Sequence, residues 1–154
     1  MKVYSEAVPA DSEIGLDQAE SGVGGRNISP DLTWSDAPEA TKSYAVTIFD
    51  PDAPTGSGWW HWVVSDIPAS VTSIPLGGPV PEGVRESVND FGYKGYGGPY
   101  PPPGPAHHYI HTVHALDCDE LDVPPDASSA MVRLVMSFHT LETASFTATF
   151  ENRG

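Results

Sequence analysis

The stretch that decides the fold runs from Ser43 to Ile67 and reads SYAVTIFDPDAPTGSGWWHWVVSDI. Residues 43–49 are β-branched and aromatic, the composition of a strand. Asp50-Pro51-Asp52-Ala53-Pro54 ends that strand, because each proline removes a ladder donor. Thr55 to Gly58 is a turn, and Trp59 to Ile67 is the next strand. Working outward, His107 to Leu116 forms a further strand. A period-two reading places His107, Tyr109, His111, Val113 and Ala115 on one face and His108, Ile110, Thr112, His114 and Leu116 on the other. Residues 144–150 alternate and form a last strand. Upstream, a short first strand precedes a long glycine-bearing loop, and Leu32 to Trp34 forms a second short strand. Asp126 opens a helix to about His139, with Met131, Leu134, Val135 and Phe138 at helical spacing as its core stripe. Residues 68–106 are long, irregular and rich in Pro and Gly; tyrosines 93, 96 and 100 give the segment apolar surface to pack.

The chain has 154 residues, the size of one domain, with 39% hydrophobic and 18% charged residues. Its 15 glycines and 16 prolines argue against a helix bundle and for short strands joined by turns. Seven basic against 21 acidic side chains give a formal net charge of -14. That balance disfavours nucleic acid, whose binding rests on basic residues at phosphates, and anionic membrane surfaces. An acidic, Lys-poor surface suits either a salt-rich cytoplasm or ordinary solubility. One cysteine, Cys118, excludes an intramolecular disulfide and reads as an idle thiol. No segment has the apolar length of a signal peptide or a membrane helix, so the expected compartment is the cytoplasm.

Three clusters could carry chemistry. Asp50 and Asp52 flank a proline at a strand end, either as a ligand-binding or acid/base pair or as caps of their own turn. In Trp59-Trp60-His61-Trp62, alternation sets Trp60 with Trp62 and His61 with Trp59; His61 is a packed side chain or a site residue in an aromatic pocket. His107, His108 and Tyr109 follow a stiff Pro-rich loop. If their strands are neighbours, Asp50, Asp52, His61, His107 and Tyr109 converge. Such a set could ligate a metal or hold a phosphate-sized anion through imidazole, phenol and backbone donors. No HExxH, paired CxxC, EF-hand, GxSxG or GK[ST] phosphate loop is present.

DPDAP at 50–54, HWVV at 61–64, NISPDLTW at 27–34 and NDFGYKGYGGPYPPPGPAHHYIHTVHALD at 89–117, in that order, resemble the phosphatidylethanolamine-binding protein (PEBP) family, in particular its bacterial and archaeal Raf kinase inhibitor-like branch. The resemblance implies a mostly β fold: a central antiparallel sheet packed on a smaller sheet, with short helices near the C-terminus. It implies a pocket for phosphate-like anions, such as phospholipid head groups or phosphorylated side chains, formed by Asp50, Asp52, His61, His107 and Tyr109. The walls would be Pro54, Trp60 and the loop Gly97, Gly98, Pro99 to Pro101 and Pro102. It also implies a homodimer and a binding protein rather than an enzyme, with no cofactor or resident metal expected. The alternatives are a small Asp/His hydrolase, metal-assisted or not, and an inhibitor or scaffold acting through loop 92–105. Asp50 is expected to orient His61 or His107 by accepting a ring N–H, and Ala53-Pro54 is expected to be a cis bond. Two departures from the branch stand out. Residues 18–26 lack its aromatic-and-cysteine segment, and His108 stands where Arg is frequent, which predicts weaker anion binding at neutral pH.

Overall fold

The computed structural model describes residues 1–154. The strands are β1 (Lys2–Tyr4), β2 (Leu32–Ser35), β3 (Ser43–Asp50), β4 (Trp59–Pro68), β5 (Ser73–Ile74), β6 (Arg85–Glu86), β7 (His107–Leu116) and β8 (Thr140–Phe150); helix α1 (Ser129–Ser137) precedes β8. They form a three-stranded sheet in the order β1-β2-β5 and a five-stranded sheet in the order β6-β4-β3-β7-β8. Every strand pair is antiparallel. No helix is long and apolar enough to cross a membrane.

The alternation read from the sequence sorts the large sheet into two faces. Tyr44, Val46, Ile48, Tyr109, Val113 and Ala115 share one core with Leu32, Trp34 and Ile74 of the small sheet. Trp34 meets Tyr44 edge-on at 5.4 Å between ring centroids, tying the sheets together. Ala45, Val63 and Leu116 face the other way and are covered by Val132 and Met136 of α1. The result is three layers, with the large sheet buried on both faces.

β3 occupies the centre of that sheet, between β4 and β7. Because both pairings are antiparallel, the end of β3 lies beside the starts of β4 and β7. This one topological fact brings Asp50, Trp59, His61, His107 and Tyr109 to the same end of the sheet.

The helix face differs from the expected one. α1 is shorter, opening at Ser128, whose side chain accepts the Met131 N–H at 3.1 Å. Its buried positions are Ser129, Val132 and Met136. Of the expected stripe, Met131, Leu134 and Phe138 are exposed, Phe138 at 71%, and Val135 is only partly covered. Both stripes have helical spacing because the segment is apolar nearly all round. Val132 and Met136 pack against Ala45 and Val63. β5 and β6 each have two residues, too few for a periodic signal, and β8 begins at Thr140 rather than 144.

This packing makes Met136→Ala costly, by about 2–5 kcal/mol for a fully buried side chain. Leu134→Ala, at a site 53% exposed, is expected to cost under about 1 kcal/mol. Urea denaturation of the two variants checks this, and equal costs would reverse the face assignment.

Candidate functional site

The site is built around a carboxylate at the end of the central strand. Asp50 is 2% exposed, and a buried charge is tolerated only when its oxygens are satisfied. One oxygen accepts the Asp52 N–H at 2.8 Å, closing the Asp-Pro-Asp turn on itself. The other accepts the Nδ1–H of His107 at 2.7 Å. The expected orienting role therefore falls on His107 rather than His61. The ring is fixed with Nδ1 committed to Asp50 and Nε2 as the free nitrogen. The turn closes with Ala53-Pro54 in trans, aided by a Thr55 N–H to Ala53 O bond. The cis bond lies instead at Gly78-Pro79.

His61 is reached differently. In the β3–β4 register Ile48 faces Trp62 and Phe49 faces Trp60, so His61 is the extra residue of a β-bulge. The bulge breaks strict alternation. His61 turns to the same side as Trp62 and meets Tyr109 and Phe91 edge-on at 5.1 and 5.5 Å. Trp60 points to the opposite face, against Phe49 at 4.2 Å. Trp60 is thus not a pocket wall; Trp59 takes that place. Nδ1 of His61 lies 2.7 Å from Gly97 O and must be the donor there. Burial holds this imidazole's pKa down at about 4, against the pull of its bonds to the Gly97 segment. At neutral pH His61 is therefore uncharged, with an Nε2 lone pair that accepts.

Tyr109, 1% exposed, keeps its phenol proton, because burial and then the charge of Asp50 raise its pKa well above the ordinary value. Its hydroxyl has no protein partner, and neither does the buried indole N–H of Trp59. Both residues line a cavity of about 330 Å3 with Asp50, His61, His107, Pro54, Phe91, Tyr100, Pro101 and Pro102. A shallower groove of about 510 Å3 adjoins it across Tyr100, rimmed by Glu13, Glu151 and Arg153.

Not every expected residue reaches the cavity. Asp52 turns outward and accepts the His108 backbone N–H at 2.8 Å and ring N–H at 2.7 Å. The pair lines a separate cleft beside Pro105 and Ala106. His108 therefore acts on the cavity only at a distance. Gly97, Gly98 and Pro99 stand behind the wall. Gly97 exchanges bonds with His61 through its N–H, at 2.9 Å, and its carbonyl. Gly98 packs so closely that a Cβ would strike the Gln18 carbonyl. Asn27 holds this loop, accepting the Gly98 N–H at 2.7 Å and donating to Tyr96 O at 3.1 Å. Asn27, Trp59 and Phe91 were not among the expected site residues. Alternation already sets Trp59 with His61, and only the family resemblance pointed to Trp60 instead, while Asn27 acts only through folded contacts.

The family described as phosphatidylethanolamine-binding protein matches residues 4–151. Escherichia coli YbhB is 52% identical over 134 residues, covering 84% of this chain and 85% of that protein. The crystal structure of E. coli YbcL, titled a new member of the mammalian PEBP family, superposes with a TM-score of 0.93 at 43% identity over 97% of each chain. Mycobacterium tuberculosis LppC, 34% identical over 82% of this chain and 62% of its own length, is named as a lipoprotein, so kinship leaves the compartment open. The chain belongs to the phosphatidylethanolamine-binding protein family, a ligand-binding fold.

Three buried histidines set an acid limit. Burial lowers the pKa of His61 and His111 to about 4 and of His114 to about 3. Unfolded histidine titrates near 6.5, so between about pH 6.5 and 4 the unfolded chain binds more protons and stability rises with pH. Stability is expected to fall on acidification through that window, each histidine adding a slope of up to about 1.4 kcal/mol per pH unit. Urea denaturation at pH 7 and pH 5 tests this. His114→Gln should remove about one proton from the slope, and pH-independent stability would refute the assignment.

Proposed function

We propose that the cavity binds a small phosphate-type anion, either a phospholipid head group or a phosphorylated partner, and that the protein is a binding module rather than an enzyme. The observation that carries this reading is one cavity lined by Tyr109, Trp59, His61 and His107, in which the Tyr109 O–H and Trp59 N–H are buried without protein partners and each imidazole keeps one nitrogen free of protein bonds. A buried donor without a partner costs about 1–3 kcal/mol, which a ligand oxygen would recover.

Charge defines which anion fits. Asp50 is balanced only when His107 carries two protons, and His61 is neutral. The pocket then holds no net positive charge, and the surrounding chain is acidic. A dianion is disfavoured. A monoanion suits the set: its oxygens accept from Tyr109, Trp59 and, when it carries two protons, His107, and where the ligand is a monoester or inorganic phosphate its remaining O–H donates to His61 Nε2. Because the singly charged form is the favoured one, binding of a phosphate monoester or inorganic phosphate tightens as pH falls from 8 to 6, where that ligand takes up its second proton. The cytoplasm and a homodimer complete the proposal. The charge of -14 sets nucleic acid aside as a partner.

Calorimetric titration with inorganic phosphate and phosphoethanolamine tests the reading. Saturable binding is expected for the wild type, with proton uptake and greater affinity at pH 6 than at pH 8. Tyr109→Phe should weaken binding about tenfold while leaving the unliganded protein as stable or more so, since it deletes an unpartnered hydroxyl. Asp50→Asn should weaken it by a similar factor through loss of the His107 orientation. Undiminished affinity in both variants would overturn the assignment. Turnover of a phosphomonoester by the wild type would favour the hydrolase reading.

A further inference from the structure

At the opposite end of β7 from the anion pocket lies a second cluster of chemistry-bearing side chains. Asp117 and Cys118 directly follow the strand, and His139 sits between α1 and β8. One donor atom of each, a carboxylate oxygen, the thiol sulfur and an imidazole nitrogen, lies within 4.8 Å of the other two. Ten residues of strand separate this cluster from His107, roughly 30 Å at about 3.3 Å per residue, so the two sites are independent.

The cluster is held by the fold from three directions. The Asp117 backbone N–H donates to His139 O at 2.9 Å, and the His139 Nδ1–H donates to the Asp117 carboxylate at 2.8 Å. The His139 backbone N–H closes the end of the helix on Met136 O at 3.0 Å. The Cys118 carbonyl accepts from Ser43 Oγ at 2.6 Å. Asp117 is exposed and Cys118 and His139 are half-buried, so a hydrated ion can reach all three.

We infer that Asp117, Cys118 and His139 form a binding site for a borderline divalent cation of the zinc type. The donor set is the first argument. Thiolate and imidazole select zinc-type ions over calcium or magnesium, which prefer oxygen throughout. The geometry is the second. Ligand bonds of about 2.0–2.3 Å place tetrahedral donors about 3.5 Å apart. The widest donor separation of up to 4.8 Å therefore closes by up to about 1.3 Å, and the 2.8 Å pair of His139 and Asp117 opens by about 0.7 Å as the ion replaces the proton between them. The field is the third. Asp66 and Asp119 add negative charge around the thiol, which concentrates cations there. Three protein donors leave a fourth position for water or an exogenous ligand, the pattern of an open site rather than a closed structural one.

Cobalt(II) is the probe, because a thiolate-to-cobalt charge-transfer band in the near ultraviolet reports sulfur ligation and this chain has one cysteine. Full-length protein under a non-thiol reductant is expected to bind one cobalt per chain with that band, and zinc should displace it while millimolar magnesium or calcium does not. Cys118→Ser should abolish the band. His139→Ala and Asp117→Asn should each weaken affinity about tenfold or more, with far-ultraviolet circular dichroism and metal-free melting temperature unchanged. If one of these two exposed-site variants fails to fold, the other carries the test. Absence of the band, one cobalt shared by two chains, or affinity indifferent to both His139→Ala and Asp117→Asn would overturn the inference.

Discussion

The buried carboxylate of Asp50 is the constraint on which the functional end of the molecule depends. A charge at 2% exposure is stable only with its oxygens engaged and a counter-charge at hand. Meeting that requirement bends the chain after β3 into a turn whose own N–H caps the aspartate, and it clamps His107 at the start of β7 in one orientation. The central position of β3 makes both possible, since its antiparallel neighbours begin where it ends. Fold and site are thus consequences of the same strand order.

The opposite wall is held by packing rather than charge. The glycine pair at 97 and 98 allows the loop to lie against the Gln18–Glu20 segment and to exchange two bonds with His61. Those bonds settle the tautomer of His61, and burial keeps it neutral. The two rings therefore differ: the free nitrogen of His61 is an acceptor, while His107 has its Nδ1–H committed to a carboxylate.

Much of this was legible in the sequence because it rests on period-two alternation and proline punctuation. β3, β4 and β7 fall where the pattern puts them, and the face shared by His107 and Tyr109 is the one read from it. What alternation could not reveal is a residue inserted into the ladder. The bulge at His61 parts Trp62 from Trp60, which alternation had paired, and brings it to the side of His61; nothing in a run of three tryptophans around a histidine marks which member is extra. The helix face failed for a related reason, since an element apolar on nearly every side presents two equivalent stripes and only the shape of the sheet beneath chooses Val132 and Met136. Asp52 and Asn27 illustrate long-range partners. The outward turn of Asp52 depends on His108, 56 residues away, and the role of Asn27 on a loop 71 residues away.

The most direct test of the account is a long-range proton–nitrogen NMR spectrum of the histidine rings, recorded at pH 7 without and with saturating phosphate. His61 is expected to stay neutral with its proton on Nδ1 in both states, and His107 to keep its Nδ1 proton on Asp50 while its Nε2 resonance shifts with phosphate. A His61 ring that gains a second proton, or a His107 ring whose Nε2 does not respond to phosphate, would contradict this.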